Sequence, residues 1–573
     1  MRFRLSLIAF TAAVALIFGL GASADVGSGS GPPTAIGSGG AAASVEKLAT
    51  QAAVDVLRRG GNAVDASVAA AAVLGVTEPF SCGVGGGGFM VIRTARGRVT
   101  TIDGREVAPT AMHPTSFWEN GAPLPFNDAR YSGLSVGVPG TVQTWAEALA
   151  NYGTMSLAEV LAPAIHVARH GYVIDQVWFD QVAANRDWFD DIPASAALFL
   201  DPDGTPRDVG TVFTNPALAK TYERIAHLGP KGFYRGTVAD ALVDTVRHPV
   251  VSPTANHTWR PGVIKMRDLH TYTAPERAPT HVNYRGLDVY SMGPPSSGGS
   301  TVGEALNILE GYDLSSMTRA AALHYFLEAS RYSFADRNAY LADPAYFDVP
   351  LKGLLSKEYA ATRRALIKDT AAPGAVPPGD PYPYEGAETT THLTTSDQSG
   401  NVVSYTFTIE STGGSGLVVP RFGFLLNNEL TDFNFDSTTH PNRVEGGKRP
   451  RSSMAPTIVT RSGQPLLGLG SPGGASIITT VLQMLVDRFD LGLTLPQAIA
   501  DPRVSQRNSV NTGAEPAFLS TPERAALEAR GHHFINAGEI GAATGIEFLG
   551  GGRVLAAAEP VRRGGGSAMT ERP

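Results

Sequence analysis

The chain has 573 residues, 43% hydrophobic and 17% charged, with a formal net charge of −7 at pH 7. This is globular composition with material for a large core, and the acidic balance excludes a protein whose work is to cover nucleic acid or another polyanion. The single cysteine, Cys82, excludes an intrachain disulfide and reads as a small buried hydrophobe.

In chain order, residues 1–24 read as a secretory signal: Arg2 and Arg4, the apolar run "LIAFTAAVALIFGL", and an A-x-A site at Ala22–Ala24. The run is shorter than the roughly 20 residues that span a bilayer, so an uncleaved anchor is the lesser alternative and no stable membrane span is expected. Secretion or a periplasmic location follows from the signal. Residues 25–42 read as a Gly/Ser/Pro linker. "KLATQAAVDVLRRGG" has helical spacing, with Leu48, Ala52, Val56 and Leu57 on one face and Gly60 as the stop, and "AVDASVAAAAVLGV" is a small-residue helix. "GFMVIRT", "TTIDGRE" and "LDVYSMG" read as strands, "STVGEALNILEGY" and "AAALHYFLEASRY" as helices. Pro373–Glu388 is rich in Pro and Gly and is expected to be mobile and exposed. "VVSYTFTI" is a further strand and "ASIITTVLQMLVDRF" a further helix. Alternating strands and helices throughout suggest sheets layered with helices.

"THLTTSD" and "NVVSYTFT" frame the short turn "QSG", a hairpin signature. Counting outward, Thr395 faces Val403, Leu393 faces Tyr405 and Thr391 faces Phe407 on an apolar side turned to the core. Thr390 then opposes Thr408 on the other side, with Glu410 on the same strand face. A threonine hydroxyl becomes a useful nucleophile when it is N-terminal, because its own α-amine, titrating near 7.7–8.0, can take the proton. An internal threonine gains that amine only if the preceding bond is cut, and the Pro/Gly segment fits such a cut. Thr389–Thr391 could equally be the ordinary start of a strand.

Several long motifs, in order, resemble the γ-glutamyltranspeptidases: "ATQAAVDVLRRGGNAVDA", "GVGGGGFM", "DGREVAP", "SVGVPGT", "PPSSGGST", "TTHLTTSDQSGNVVSYTFT", "LLNNELTDF", "KRPRSSMAPTIV" and "GSPGGASIITTVLQM". The resemblance covers roughly residues 40–565 and implies an α+β fold, a four-layer αββα sandwich of the N-terminal-nucleophile hydrolase type. It implies self-cleavage between Thr389 and Thr390, giving a large subunit of residues 43–389 and a small subunit of residues 390–573. The adjacent Thr389 leaves the site ambiguous by one residue. Thr390 would be the nucleophile, and Thr408 would hydrogen-bond it and assist processing. Arg105, Ser452 and Ser453 would hold the donor α-carboxylate, and Glu429 and Asp432 its α-ammonium. Gly473 and Gly474 would form the oxyanion hole, a role that their position before a helix supports on physical grounds. The substrates implied are a small γ-glutamyl donor and a water or amine acceptor, with no metal or organic cofactor.

Without the resemblance, Arg105 reads as a local ion pair with Asp103 or Glu106, Ser452–Ser453 as a turn, and Gly473–Gly474 as a glycine turn before a helix. Two departures stand out. Glu410 replaces the asparagine common in the family, and "NFDSTTHPNRVEGG" is a short version of a lid loop; both put donor specificity in question and leave a related acylase as the alternative. His392 reads as a structural neighbour rather than half of a Thr–His dyad. Two rival motifs are weaker. "GLSVG" would make Ser135 the nucleophile of a serine hydrolase, and "GVGGGG" is a dinucleotide-type loop in reversed strand–helix order. A non-catalytic secreted homologue is the last alternative.

Overall fold

The computed structural model describes residues 33–379 and 391–573. The proposed signal, residues 25–32, and Thr389 and Thr390 lie outside the described residues. Thirteen strands form one continuous sheet: β1 (Thr34–Ser44), β2 (Gly87–Arg93), β3 (Val99–Gly104), β4 (Glu276–Arg277), β5 (Thr280–Tyr284), β6 (Leu287–Ser291), β7 (Thr391–Ser396), β8 (Val402–Thr408), β9 (Thr457–Arg461), β10 (Gln464–Gly470), β11 (Thr544–Gly550), β12 (Arg553–Ala558) and β13 (Ser567–Arg572). Their order is β4-β3-β2-β8-β7-β1-β12-β11-β10-β9-β6-β5, with β13 along β1.

The sheet doubles back on itself at β1. Residues Thr34–Ser38 pair with β12, whereas Ala41–Ser44 pair with β7. The change of partner falls at Gly39, whose φ of 83° lies in the left-handed region where glycine carries no Cβ penalty. This corrects the linker expectation for residues 25–42: its second half is the strand that joins the two layers. Its Gly, Ala and Ser side chains are small enough to lie where the layers meet.

The two halves pack face to face, β7 and β8 against β10 and β11. Outside the first half lie α1 (Lys47–Arg58), α2 (Ala63–Thr77) and α3 (Thr141–Tyr152). Outside the second lie α4 (Gly298–Leu309), α5 (Arg319–Tyr340) and α6 (Ser476–Phe489). The result is the four-layer αββα sandwich. α2 is buried along its whole length, as its small residues allow, and an Asn62–Asp65 capping box starts it. α1 is capped by the Glu46 side chain and turns Ala49, Ala52, Ala53 and Val56 inward. Leu48, expected on that face, is 38% exposed, because the inward stripe is centred on the alanines.

The β7–β8 register is the one counted from the sequence: Thr391 opposite Phe407, Leu393 opposite Tyr405, Thr395 opposite Val403. Both faces are buried, however. Leu393, Val403, Tyr405 and Phe407 pack on the first helical layer. The hydroxyl-bearing face meets the second half of the sheet, where Ser404 Oγ donates to Leu469 O (3.0 Å) and accepts from Thr457 N (3.0 Å). Residues 373–379, expected to be mobile, are pinned: Val376 N donates to Asn508 Oδ1 and Gly379 N to Asp336 Oδ1, both at 2.7 Å.

Candidate active site

The site sits where β7 begins and β8 ends. Thr408, the last residue of β8, is 2% exposed, and its Oγ1 accepts from Glu410 N at 2.8 Å. The approach to it is tight: a Cβ on Gly86 would lie 1.9 Å from Thr408 O, and one on Gly85 1.9 Å from Leu425 O. The "GVGGGG" loop is therefore a close-packing device that leads into β2. Glu410 is buried with φ of 77°, and its carboxylate accepts from Ser411 Oγ and Asn428 Nδ2. That geometry points its backbone back at Thr408. Arg130 is close enough for Glu410 to favour its protonated form, although burial acts more strongly and lowers its affinity for the proton.

Asn428 links this corner to the next. Its amide donates to Ile409 O (3.2 Å), and the 3-10 turn Glu429–Asp432 follows directly. Arg105, at the end of β3, is fully buried there. Nη1 pairs with Glu429 and Nη2 with Asp432, while Nε donates to Pro450 O (3.1 Å) and Nη2 to Arg451 O (2.9 Å). The local pairing expected without the resemblance does not occur. Asp103 accepts from the Arg105 amide at 3.0 Å and forms its ion pairs with Arg277 and Arg449 instead. The Glu106 carboxyl has no hydrogen-bond partner, and burial pushes it up to about 8.

The carbonyls that hold Arg105 lead straight into Ser452 and Ser453. Ser452 is fixed by backbone: its amide donates to Pro295 O (3.0 Å), and its carbonyl accepts from Ser297 N (2.8 Å) and Ser297 Oγ (2.6 Å). Ser453 Oγ accepts from Arg337 Nη2, and Arg337 Nε donates to Ser297 Oγ at 2.9 Å. Asn442 ties the Asp432 and Arg451 segments together, donating to Asp432 O (2.7 Å) and accepting from Arg451 N (2.8 Å). Sequence reasoning missed Arg337, Asn428 and Asn442. Asn442 falls in the short "lid" stretch, which is packed down through Phe435 and Val444.

Gly473 and Gly474 follow β10 with φ of 129° and 61° and lead into α6. Their carbonyls accept from Ser476 N and Ile477 N, while neither glycine amide donates to a described residue. β10 brings them near the hairpin, since Gly470 packs under the ring of His392. His392 is buried, with Nδ1 2.9 Å from Thr406 Oγ1 and Nε2 3.0 Å from Thr394 Oγ1. Burial pushes its pKa down to about 3, so it is a neutral tie between strands and no general base. Ser135 is also no nucleophile: its Oγ donates to Arg130 O (2.6 Å) and Ser132 O (3.0 Å) in a buried turn, with no base among its hydrogen-bond partners in the described residues.

The four-layer αββα sandwich, with a hairpin strand opening at one end between its two sheet halves, is the N-terminal-nucleophile hydrolase architecture. The chain belongs to the gamma-glutamyltranspeptidase family, whose profile matches residues 49–569, and it is an enzyme of that type. It is 37% identical over 540 residues to the glutathione hydrolase proenzyme of Escherichia coli strain K12, covering 91% of this chain and 90% of that one. Its structure is similar to cephalosporin acylase from Bacillus halodurans, with a TM-score of 0.83 at 28% identity over 97% and 99% of the two chains. It is also similar to the gamma-glutamyltranspeptidase of Helicobacter pylori, with a TM-score of 0.55 at 34% identity over 60% of this chain and 96% of that one.

Proposed function

We propose that the enzyme transfers or hydrolyses γ-glutamyl groups of glutathione-like donors, after self-cleavage before Thr390. The observation that carries this is the buried set Arg105–Glu429–Asp432 beside Ser452 and Ser453. It is matched to a ligand that bears a carboxylate and an ammonium on one carbon. The carboxylate takes the planar guanidinium and the serine hydroxyls, the ammonium takes the two carboxylates, and every charge stays paired out of water. A simple acyl group offers neither charge, so the alternative of an acylase with altered donor specificity is not favoured.

Cleavage of the Thr389–Thr390 bond consumes one water and leaves a carboxyl on Thr389 and an α-amine on Thr390. Thr390 Oγ then attacks the γ-carbonyl carbon while that amine accepts the hydroxyl proton. The amides of Gly473 and Gly474 receive the developing oxyanion. The donor's C–N bond breaks, the amine returns the proton to the leaving nitrogen, and a γ-glutamyl ester remains on Thr390. Water or an incoming amine attacks the ester and restores the hydroxyl. The proposed subunits interleave, because β7 lies between β8 and β1, and β8 lies against β2. The match to nearly all of a Helicobacter pylori chain by only 60% of this one fits a precursor that yields two pieces. Among the described residues no helix is long and apolar enough to cross a membrane; an extracytoplasmic location rests on the signal-like residues 1–24. Amino-terminal sequencing of the smaller fragment tests the assignment: Thr-Thr-His supports it, and Thr-Thr-Thr moves the nucleophile to Thr389.

A further inference from the structure

At the opposite end of the hairpin from Thr408, three turns enclose a hollow of about 480 Å³. They are the β7–β8 turn around Gly400, the β9–β10 turn beginning at Arg461, and the β11–β12 turn ending at Arg553. Six residue steps separate Thr391 from Asp397, so at ~3.3 Å per step the hollow lies about 20 Å from the reaction site.

Three guanidinium groups line it. Arg461 and Arg553 are exposed, and their guanidinium groups form no hydrogen bond or ion pair with the described residues. Arg93 is 3% exposed and bonded only to neutral carbonyls, with Nη1 at 2.7 Å from Gly400 O and Nη2 at 2.6 Å from Gly463 O, while its Nε has no partner. Burial lowers its affinity for its proton, a penalty that a nearby anion relieves. The acids on hand do not neutralise the set. Asp397 accepts from Ala63 N, Ser399 N, Asn401 N and Asn401 Nδ2, at 2.6–3.1 Å. Glu571, beside Gly39, accepts from Gly40 N and pairs with Arg572. Pro465, Leu466, Phe548 and Val554 supply an apolar wall.

We infer that this hollow is a second binding site, for an organic phosphate whose oxyanion is held by Arg93, Arg461 and Arg553 and whose apolar body rests on Leu466 and Phe548. Forked guanidinium donors arriving from three turns match a tetrahedral, multiply charged oxyanion with at least three terminal oxygens better than a flat monocarboxylate. The volume exceeds what a bare phosphate fills, which gives the apolar wall its part. The chain's overall negative charge does not oppose this, because the field inside a hollow is set by the charges that line it. The same chemistry is offered by a soluble phosphate ester and by the headgroup of an anionic lipid.

The test is calorimetric titration of the full-length enzyme with phenyl phosphate, inorganic phosphate and benzoate, together with co-flotation on phosphatidylcholine vesicles with and without phosphatidic acid. Phenyl phosphate is expected to bind more tightly than the other two. Arg461→Gln with Arg553→Gln should weaken it by about a hundredfold, roughly tenfold for each charge-assisted hydrogen bond removed. Both residues are exposed turn positions remote from Thr408, so γ-glutamyl turnover stays unchanged in that variant. Flotation only with phosphatidic acid, abolished by the double substitution, identifies the lipid source; phenyl phosphate binding without flotation identifies a soluble ester. Absence of phenyl phosphate binding, equal binding of benzoate, or undiminished binding by the double variant overturns the inference.

Discussion

Arg105→Met tests the side chain to which the proposed function assigns the donor carboxylate. The side chain is fully buried, and its guanidinium engages two carboxylates and two backbone carbonyls. Methionine keeps most of the length and none of the donors. Stranding one partner of a buried ion pair typically costs about 3–5 kcal/mol, so the urea midpoint should fall clearly. The donor carboxylate loses the one charge-assisted hydrogen bond that the remaining Nη1 N–H can offer, worth about 1.5–3 kcal/mol. In kcat/KM for a chromogenic γ-glutamyl anilide this is a loss of about tenfold to a hundredfold, carried mainly by KM. Arg105→Lys restores charge but not the planar guanidinium, and should recover the stability better than the kcat/KM. A Met variant with wild-type KM, or a Lys variant with wild-type kcat/KM, would refute the assignment of Arg105 to the donor carboxylate.

Two further outcomes follow from the same geometry. Gly473→Ala places a Cβ at φ of 129° and 3.2 Å from Gly541 Cα; displacing one oxyanion donor should lower kcat by about 10²–10³ with little change in KM, measured by steady-state kinetics. His392 is held neutral with a pKa of about 3, far below the value of about 6.5 expected on unfolding. The unfolded chain therefore binds the extra proton first, and the stability this histidine contributes is complete above pH 6.5 and declines as pH falls towards 3. At pH 5 the loss is about 2 kcal/mol, and urea denaturation of His392→Gln should show a fall in stability between neutral pH and pH 5 smaller by that amount, hence a shallower pH slope. An identical slope would place the acid sensitivity elsewhere.

The hairpin register was legible because alternation and a glycine turn fix it locally. That both its faces are buried was not: Thr394, Ser404 and Thr406 read as a polar side, and only the second half of the sheet, remote in sequence, supplies their partners. β1 was hidden for a related reason, since Gly, Ala and Ser carry no strand signal and the pairing energy comes from β7, β12 and β13. Arg105 was found through its motif, yet its partners lie 324 and 327 residues away, beyond any spacing rule. Asn428, Asn442 and Arg337 share that difficulty: each acts as a brace between segments that meet only after folding.

The central claim is that Thr390 is both the product of the cleavage and the agent of the chemistry. Thr390→Ala, purified and run on a denaturing gel beside the wild type and assayed with the same anilide, tests both at once. The account predicts one uncut band and no turnover from the variant, against two fragments and full activity from the wild type. Two fragments with normal turnover from Thr390→Ala would contradict it.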